Sequence, residues 1–275
     1  GDFRSEEVKK LRDEADIIVT NPPFSLFREF LAWIVEADKQ FIILGNINCI
    51  TYKEVFPLFK YNKMWLGVTN FNRGMFFRVP DDFEYAPTYK FDKEVFPLLR
   101  DNKVWMGCTI HSGDREFGVP DEYPLEAAGC RIDENGKKYI RVKGVRWYTN
   151  IDHGRRHNPL SLMSMADNIK YSKHKDIQGK KYQHYDNYDA IEIPYTDAIP
   201  CDYENLMGVP VTFLDKYCPE QFDIIWQACG NTRASAPKEI LDEVGYTIHP
   251  EDRGGCGVVN NKRQYARILI RKKHL

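Results

Sequence analysis

A short β-branched run that ends in two prolines constrains this chain more than any other segment. Ala15-Asp16-Ile17-Ile18-Val19-Thr20 has the pattern of a strand buried on both faces of a parallel sheet. Asn21-Pro22-Pro23-Phe24 follows at once, and neither proline can donate to a β-ladder, so the strand stops there. Ser25 is placed to cap a helix running to about Ala37. Leu26, Phe30, Trp33, Ile34 and Ala37 would share one stripe, with Arg28, Glu29 and Glu36 facing away. Phe41-Ile42-Ile43-Leu44 gives a second buried strand, closed by Gly45. Strand, helix and strand with short links predict a βαβ unit of an α/β sheet.

The turn after the first strand also carries the clearest chemistry. Ligands of open α/β sheets bind beyond the carboxyl ends of the strands, where Asn21-Pro22-Pro23-Phe24 lies. The Asn21 amide oxygen and the Pro22 carbonyl can each accept one hydrogen of a planar amine. Together they would aim its nitrogen at an electrophile and stabilise positive charge as it develops. A proline suits the second position because its rigid backbone aims a carbonyl with little entropy to lose. Phe24 offers a face for stacking a ring. The plain alternative is a strand-to-helix turn stiffened by two prolines.

Bulk properties set outer limits. At 275 residues, 43% hydrophobic and 29% charged, the chain can bury a real core. No signal peptide or long apolar run appears, which favours a cytoplasmic protein without a membrane partner. Seven widely spaced cysteines fit reduced thiols better than disulfides or metal knuckles. Lys and Arg number 39 against 40 Asp and Glu, so net charge indicates no partner. The distribution is uneven. Residues 131–185 hold 13 Lys and Arg against 5 acids, and residues 185–225 hold 1 Lys against 9 acids. That asymmetry predicts one face for a polyanion and another turned away from it.

An internal repeat occupies residues 53–83 and 93–123. Lys53-Glu54-Val55-Phe56-Pro57-Leu58 recurs 40 residues on as Lys93-Glu94-Val95-Phe96-Pro97-Leu98. Each copy reads as a short helix and one or two strands, a local duplication rather than a solenoid. Beyond a turn at Asp133-Glu134-Asn135-Gly136, strands are expected at Tyr139–Val142, Val145–Thr149, Leu206–Leu214 and Tyr265–Ile270. His153 and His157 have helical ligand spacing with Asp152, but the arginines between them oppose a cation, so no metal is expected. Gly254-Gly255-Cys256-Gly257 lacks the strand and helix of a cofactor loop and reads as a mobile loop.

Over most of its length the chain resembles the EcoRI-type adenine-specific DNA methyltransferases, a group within the amino-methyltransferases. The carriers are Asp16 through Phe24, Gly45-Asn46-Ile47-Asn48, Thr51-Tyr52-Lys53-Glu54, Trp147-Tyr148-Thr149-Asn150 with Asp152-His153, and Met207-Gly208-Val209-Pro210 through Leu214-Asp215-Lys216-Tyr217. The resemblance implies a Rossmann-like methyltransferase sheet in residues 1–152, followed by a mixed α+β target-recognition region in 153–275. It implies S-adenosylmethionine as cofactor, double-stranded DNA as substrate and a separately encoded restriction nuclease as partner. Asn21, Pro22, Pro23 and Phe24 would be catalytic, and Asp2, Phe3 and Asn21 would contact the cofactor. A flipped adenine would stack on Phe24 and on a second aromatic. Trp147 is preferred for that place, with Tyr148, Phe76 and Phe77 as other candidates. Arg155, Arg156, Lys180 and Lys181 lead the basic region expected on phosphates. The glycine-rich loop and acidic strand end of such enzymes would precede residue 1 in this motif order, so the sheet is expected to lack its N-terminal cofactor-binding strands. Competing readings are an RNA or protein-glutamine amino-methyltransferase and a non-catalytic DNA-binding remnant.

Overall fold

The strand, proline turn, helix and second strand at the start of the chain form in that order. The computed structural model describes residues 2–68, 74–83 and 130–273, with the backbone of short strands at 99–100, 103–105 and 118–119. Helix α1 (Glu6–Glu14) is capped by Ser5, whose hydroxyl accepts from the Val8 N–H. Then come β1 (Ile17–Thr20), α2 (Phe27–Glu36) and β2 (Gln40–Asn46), with β1 and β2 parallel from Ile17↔Gln40 to Thr20↔Ile43. A short helix α3 (Phe56–Lys60) and strand β3 (Trp65–Leu66) complete the first stretch. Contacts divide the chain into two compact units, Gly1–Asn72 with Arg146–Leu275, and Arg73–Val145.

The smaller unit holds β4 (Met75–Arg78), β5 (Leu99–Arg100), β6 (Lys103–Trp105), β7 (Gly118–Val119), β8 (Cys130–Ile132) and β9 (Lys138–Val142). They form two antiparallel sheets, β4-β9-β8 and β5-β6-β7. The expected turn links β8 to β9, with Gly136 at a φ of 72°. The first repeat copy forms α3, β3 and β4. In the second copy Leu99 and Arg100, the counterparts of helical Phe59 and Lys60, are strand. Residues 93–98 lie outside the described residues, so the expected second helix is not addressed.

The larger unit contains two four-stranded sheets. In the first, ordered β1-β2-β10-β3, β10 (Val145–Thr149) runs antiparallel to β3. Side chains extend its join to β2. Thr149 Oγ1 donates to the Phe41 carbonyl at 2.6 Å, and the Asn150 carboxamide binds the Phe41 N–H and the Lys39 carbonyl. Phe27, Ile34, Phe41, Ile43, Phe56, Phe59 and Tyr148 fill the core around it. Gly45 is required where β2 meets α2, since a Cβ there would come within 2.8 Å of both the Phe27 and Tyr148 rings.

Downstream, after helix α4 (Met165–Tyr171), come β11 (Ala190–Glu192), β12 (Leu206–Pro210) and β13 (Phe222–Ala228). Helix α5 (Lys238–Glu243), the hairpin strands β14 (Val258–Val259) and β15 (Lys262–Arg263), and β16 (Arg267–Lys272) end the chain. The second sheet has the order β11-β12-β16-β13, mixed parallel and antiparallel. Its inner strand β16 buries Ile268, Leu269 and Ile270 in succession, as a strand covered on both faces must. The architecture is thus mixed α/β with few helices. No described helix is long and apolar enough to cross a membrane.

Four expectations are corrected. β1 is not buried on both faces: it sits at the sheet edge, with Ile17 48% and Val19 65% exposed. Ser25 caps nothing, because residues 24–26 form a 3-10 turn and α2 starts at Phe27 without a side-chain cap. Leu206–Leu214 is strand only to Pro210 and then a 3-10 helix. The 254–257 glycine run is anchored rather than mobile. Asn187 and Tyr188 donate to the Cys256 and Gly255 carbonyls, and Asp252 accepts from the Gly254 N–H.

Candidate active site beside the proline turn

The end of β1 opens into a cleft of about 650 Å³. Its walls come from α1 (Val8, Leu11, Arg12), from Phe30 and Trp33 of α2, from β1 itself and from Asp2, Phe3, Asn21, Pro22 and Pro23. Val8, Leu11, Arg12 and Ala15 recur at helical spacing, a signal of this wall that was present in the sequence but not singled out. Phe3 is buried edge-on against Phe30 and Trp33, with ring centres 5.2 and 5.6 Å away. Arg12 lies over the Trp33 ring at 4.7 Å and donates to the Trp33 carbonyl at 3.0 Å. The Trp33 indole N–H is buried with no hydrogen-bond partner among the described residues.

Asn21 is exposed at the cleft and Pro22 is buried beneath it. The Pro23 carbonyl closes the turn by accepting from Leu26 at 2.9 Å. Neither the Asn21 carboxamide nor the Pro22 carbonyl has a hydrogen-bond partner among the described residues. Two acceptors with no protein donor among the described residues thus belong to residues that line a ligand-sized space. A carbonyl and an amide oxygen without donors form the complement of a planar –NH₂ group.

Of the other expected residues, Asp2 and Phe3 share this cleft with Asn21. Both Asp2 oxygens receive the Arg4 guanidinium, which holds that carboxyl below its ordinary range. Phe24 is 41% exposed and does not line the cleft, and neither does Trp147. Trp147 is half-buried on β10, where Gly67 passes close beside it. Tyr148 is core: it is fully buried, its hydroxyl donates to the Asn46 carbonyl at 2.7 Å, and burial raises its phenol far above the usual range. Phe76 and Phe77 lie on β4 of the smaller unit.

The basic region divides by burial. Arg155, Lys180 and Lys181 are exposed, and Lys180 has one distant pair, Asp176 at 4.0 Å. Arg156 is only 8% exposed; its guanidinium lies 3.7 Å from the Trp65 ring centre and bonds Asp152 and Asn62. That guanidinium is not presented to a phosphate. Arg146 is also buried, which lowers its pKa against the opposing charge of Asp215.

The expectation of separate basic and acidic faces is corrected as well, because the two runs meet. His157 bridges Asp152 and Glu220, at 2.9 and 2.8 Å, and both carboxylates raise its pKa. Lys173 and His174 reach Asp197 at 2.7 and 2.8 Å.

Two spans, 1–93 and 86–273, match the family model described as adenine-specific methyltransferase EcoRI. The chain belongs to that family. The two EcoRI methyltransferase spans overlap at residues 86–93, at the junction between the two repeat copies. Over 276 residues the chain is 38% identical to the type II methyltransferase M.EcoRI of Escherichia coli, covering all of this chain and 63% of that protein. It is 32% identical over 279 residues to the type II methyltransferase M.MgeORF184P of Mycoplasma genitalium, covering 70% of it. A third relative, the type II methyltransferase M.MpnI of Mycoplasma pneumoniae, is 29% identical over 276 residues. No solved structure matches. The chain thus spans roughly two thirds of these relatives.

Proposed function

We propose that this chain carries the methyl-transfer face and the target-recognition region of a DNA adenine N6-methyltransferase using S-adenosylmethionine. The observation that carries the reading is that Asn21 and Pro22 line the cleft and that no described group donates to the Asn21 amide oxygen or the Pro22 carbonyl. The exocyclic amine of a flipped adenine would donate one hydrogen to each. Holding both hydrogens would favour a pyramidal nitrogen, whose lone pair is withdrawn from conjugation with the ring. The amine nitrogen would accept the methyl group that the cofactor supplies, and the amine proton it displaces would pass to solvent. Charge building on nitrogen is met by two fixed dipoles. Phe24, exposed at the turn, supplies a stacking face, with Trp147 the proposed second aromatic.

The residues present fit an adenosyl group. The cleft volume is typical of a small-molecule site, and its wall is aromatic with a carboxylate at the rim. Asp2, Phe3 and Asn21 would hold the cofactor, which supplies an electrophilic methyl. Residues 1–152 would serve catalysis and 153–275 recognition, with Arg155, Lys180 and Lys181 on DNA phosphates. The names of the relatives as type II methyltransferases support a restriction-modification setting with a separate nuclease.

The test is methyl transfer by the full-length protein from labelled donor to duplex DNA, structured RNA and a glutamine peptide side by side. Label at adenine N6 of the duplex is expected. Label confined to RNA or glutamine would refute the DNA assignment, and no transfer to any of the three would refute the enzyme.

A further inference from the structure

Beyond the anchored glycine run, the β14–β15 hairpin presents cations that no carboxylate pairs with among the described residues. Val258 pairs with Arg263 and Val259 with Lys262. Asn260 and Asn261 turn the chain at φ values of 50° and 58°, the two left-handed positions of a type I′ turn. The ribbon is fixed from beneath. Asn187 Oδ1 accepts from the Val258 N–H at 2.9 Å, Asp186 Oδ2 from the Asn261 N–H at 2.8 Å, and Asn260 Nδ2 donates to Gln183 Oε1 at 3.1 Å.

What the hairpin shows to solvent is polar and cationic. Val258 and Val259 are buried, whereas Lys262 and Arg263 are exposed. Successive strand residues point to opposite faces, so one cation stands on each side of the ribbon. The Asn261 carboxamide at the tip is exposed, with no partner among the described residues. Tyr265, next along the chain, is 84% exposed. The Asn260–Gln183 bond joins segments 77 residues apart and brings the hairpin beside the stretch holding Lys180 and Lys181.

We infer that this hairpin enters a DNA groove, with Lys262 and Arg263 toward the phosphates of its two walls and the Asn261 carboxamide toward base edges. The inference rests on the proposed DNA substrate. A two-stranded ribbon fits the major groove, and an Asn side chain there can bond adenine at N6 and N7 together. The competing role for cations on an edge strand is to block strand pairing, which calls for no contact with DNA.

Full-length protein separates these roles. Asn261→Gly keeps the turn, because glycine adopts positive φ freely, and removes only the carboxamide. Against a duplex library with a randomised core, this variant should lose roughly tenfold or more of the discrimination at one base pair, with total affinity for random duplex unchanged. Lys262→Ala with Arg263→Ala should flatten the slope of log affinity against log salt by about 1.8, from roughly 0.9 per phosphate contact. Unchanged base preference in the first variant together with an unchanged slope in the second would overturn the inference while leaving the DNA reading intact. A wild-type protein that binds no duplex would instead overturn both.

Discussion

Replacing Asn21 by Ala isolates the chemistry from the fold. Asn21 is exposed and its carboxamide touches no donor among the described residues, so truncation removes no native hydrogen bond. A surface substitution of this kind changes stability by about 0.5 kcal/mol or less. In the transition state the same truncation deletes one of two dipoles facing the amine. Losing one such preorganised contact costs about 10²–10³ in rate, or about 3–4 kcal/mol of barrier. Single-turnover methyl transfer to duplex DNA in the full-length protein should therefore fall by that factor. DNA affinity should stay within a few-fold and the unfolding midpoint should not move. Turnover within a few-fold of wild type would refute the role of Asn21. An equal loss of DNA affinity would show that it binds the ground state as strongly as the transition state.

Replacing Lys180 and Lys181 together by Ala should weaken all duplexes alike and flatten the salt slope by about 1.8, read by titration at several salt concentrations. Gly45→Ala should lower the urea midpoint, because the new methyl meets the Phe27 and Tyr148 rings; overpacking of this kind costs about 1–3 kcal/mol. His157, held between Asp152 and Glu220, has its pKa raised in the folded state. Its contribution is therefore complete below the unfolded value near 6.5 and is lost as pH rises through the higher folded value. Unfolding curves between about pH 6 and 8 should show stability falling with pH in wild type and a shallower fall in His157→Gln.

The parts of the fold legible in the sequence were those fixed by local rules. Two prolines ended β1, the 3.6-residue period placed Phe30 and Ile34 of α2 in the core while passing over the buried Phe27 and Leu31, and Gly136 marked the β8–β9 turn. Burial was less legible, because it depends on neighbours distant along the chain. The run Ile17-Ile18-Val19 looks the same whether it lies inside a sheet or, as here, at its edge. Tyr148 and Trp147 are adjacent aromatics on one strand, and only the sheet's two faces decide that the first is core and the second half-exposed. β13 was not singled out, although it pairs with β16 over six positions and carries Trp226 against Phe56.

Charge shows the same divide between composition and placement. A local excess of cations predicts a polyanion surface only for cations that reach solvent without a carboxylate partner. Arg156 stacks on Trp65, and Lys173 and His174 are answered by Asp197 from the acidic run. These pairs bind the basic and acidic segments to each other and reduce the field that either would project. Lys262 and Arg263 sit in a stretch too short to register as a charge run, yet both are exposed on a hairpin fixed by three hydrogen bonds. A cation on a fixed backbone loses less entropy on meeting a phosphate than one on a flexible loop. Two anchored charges can therefore contribute more to binding than several lysines whose partners already lie within the fold.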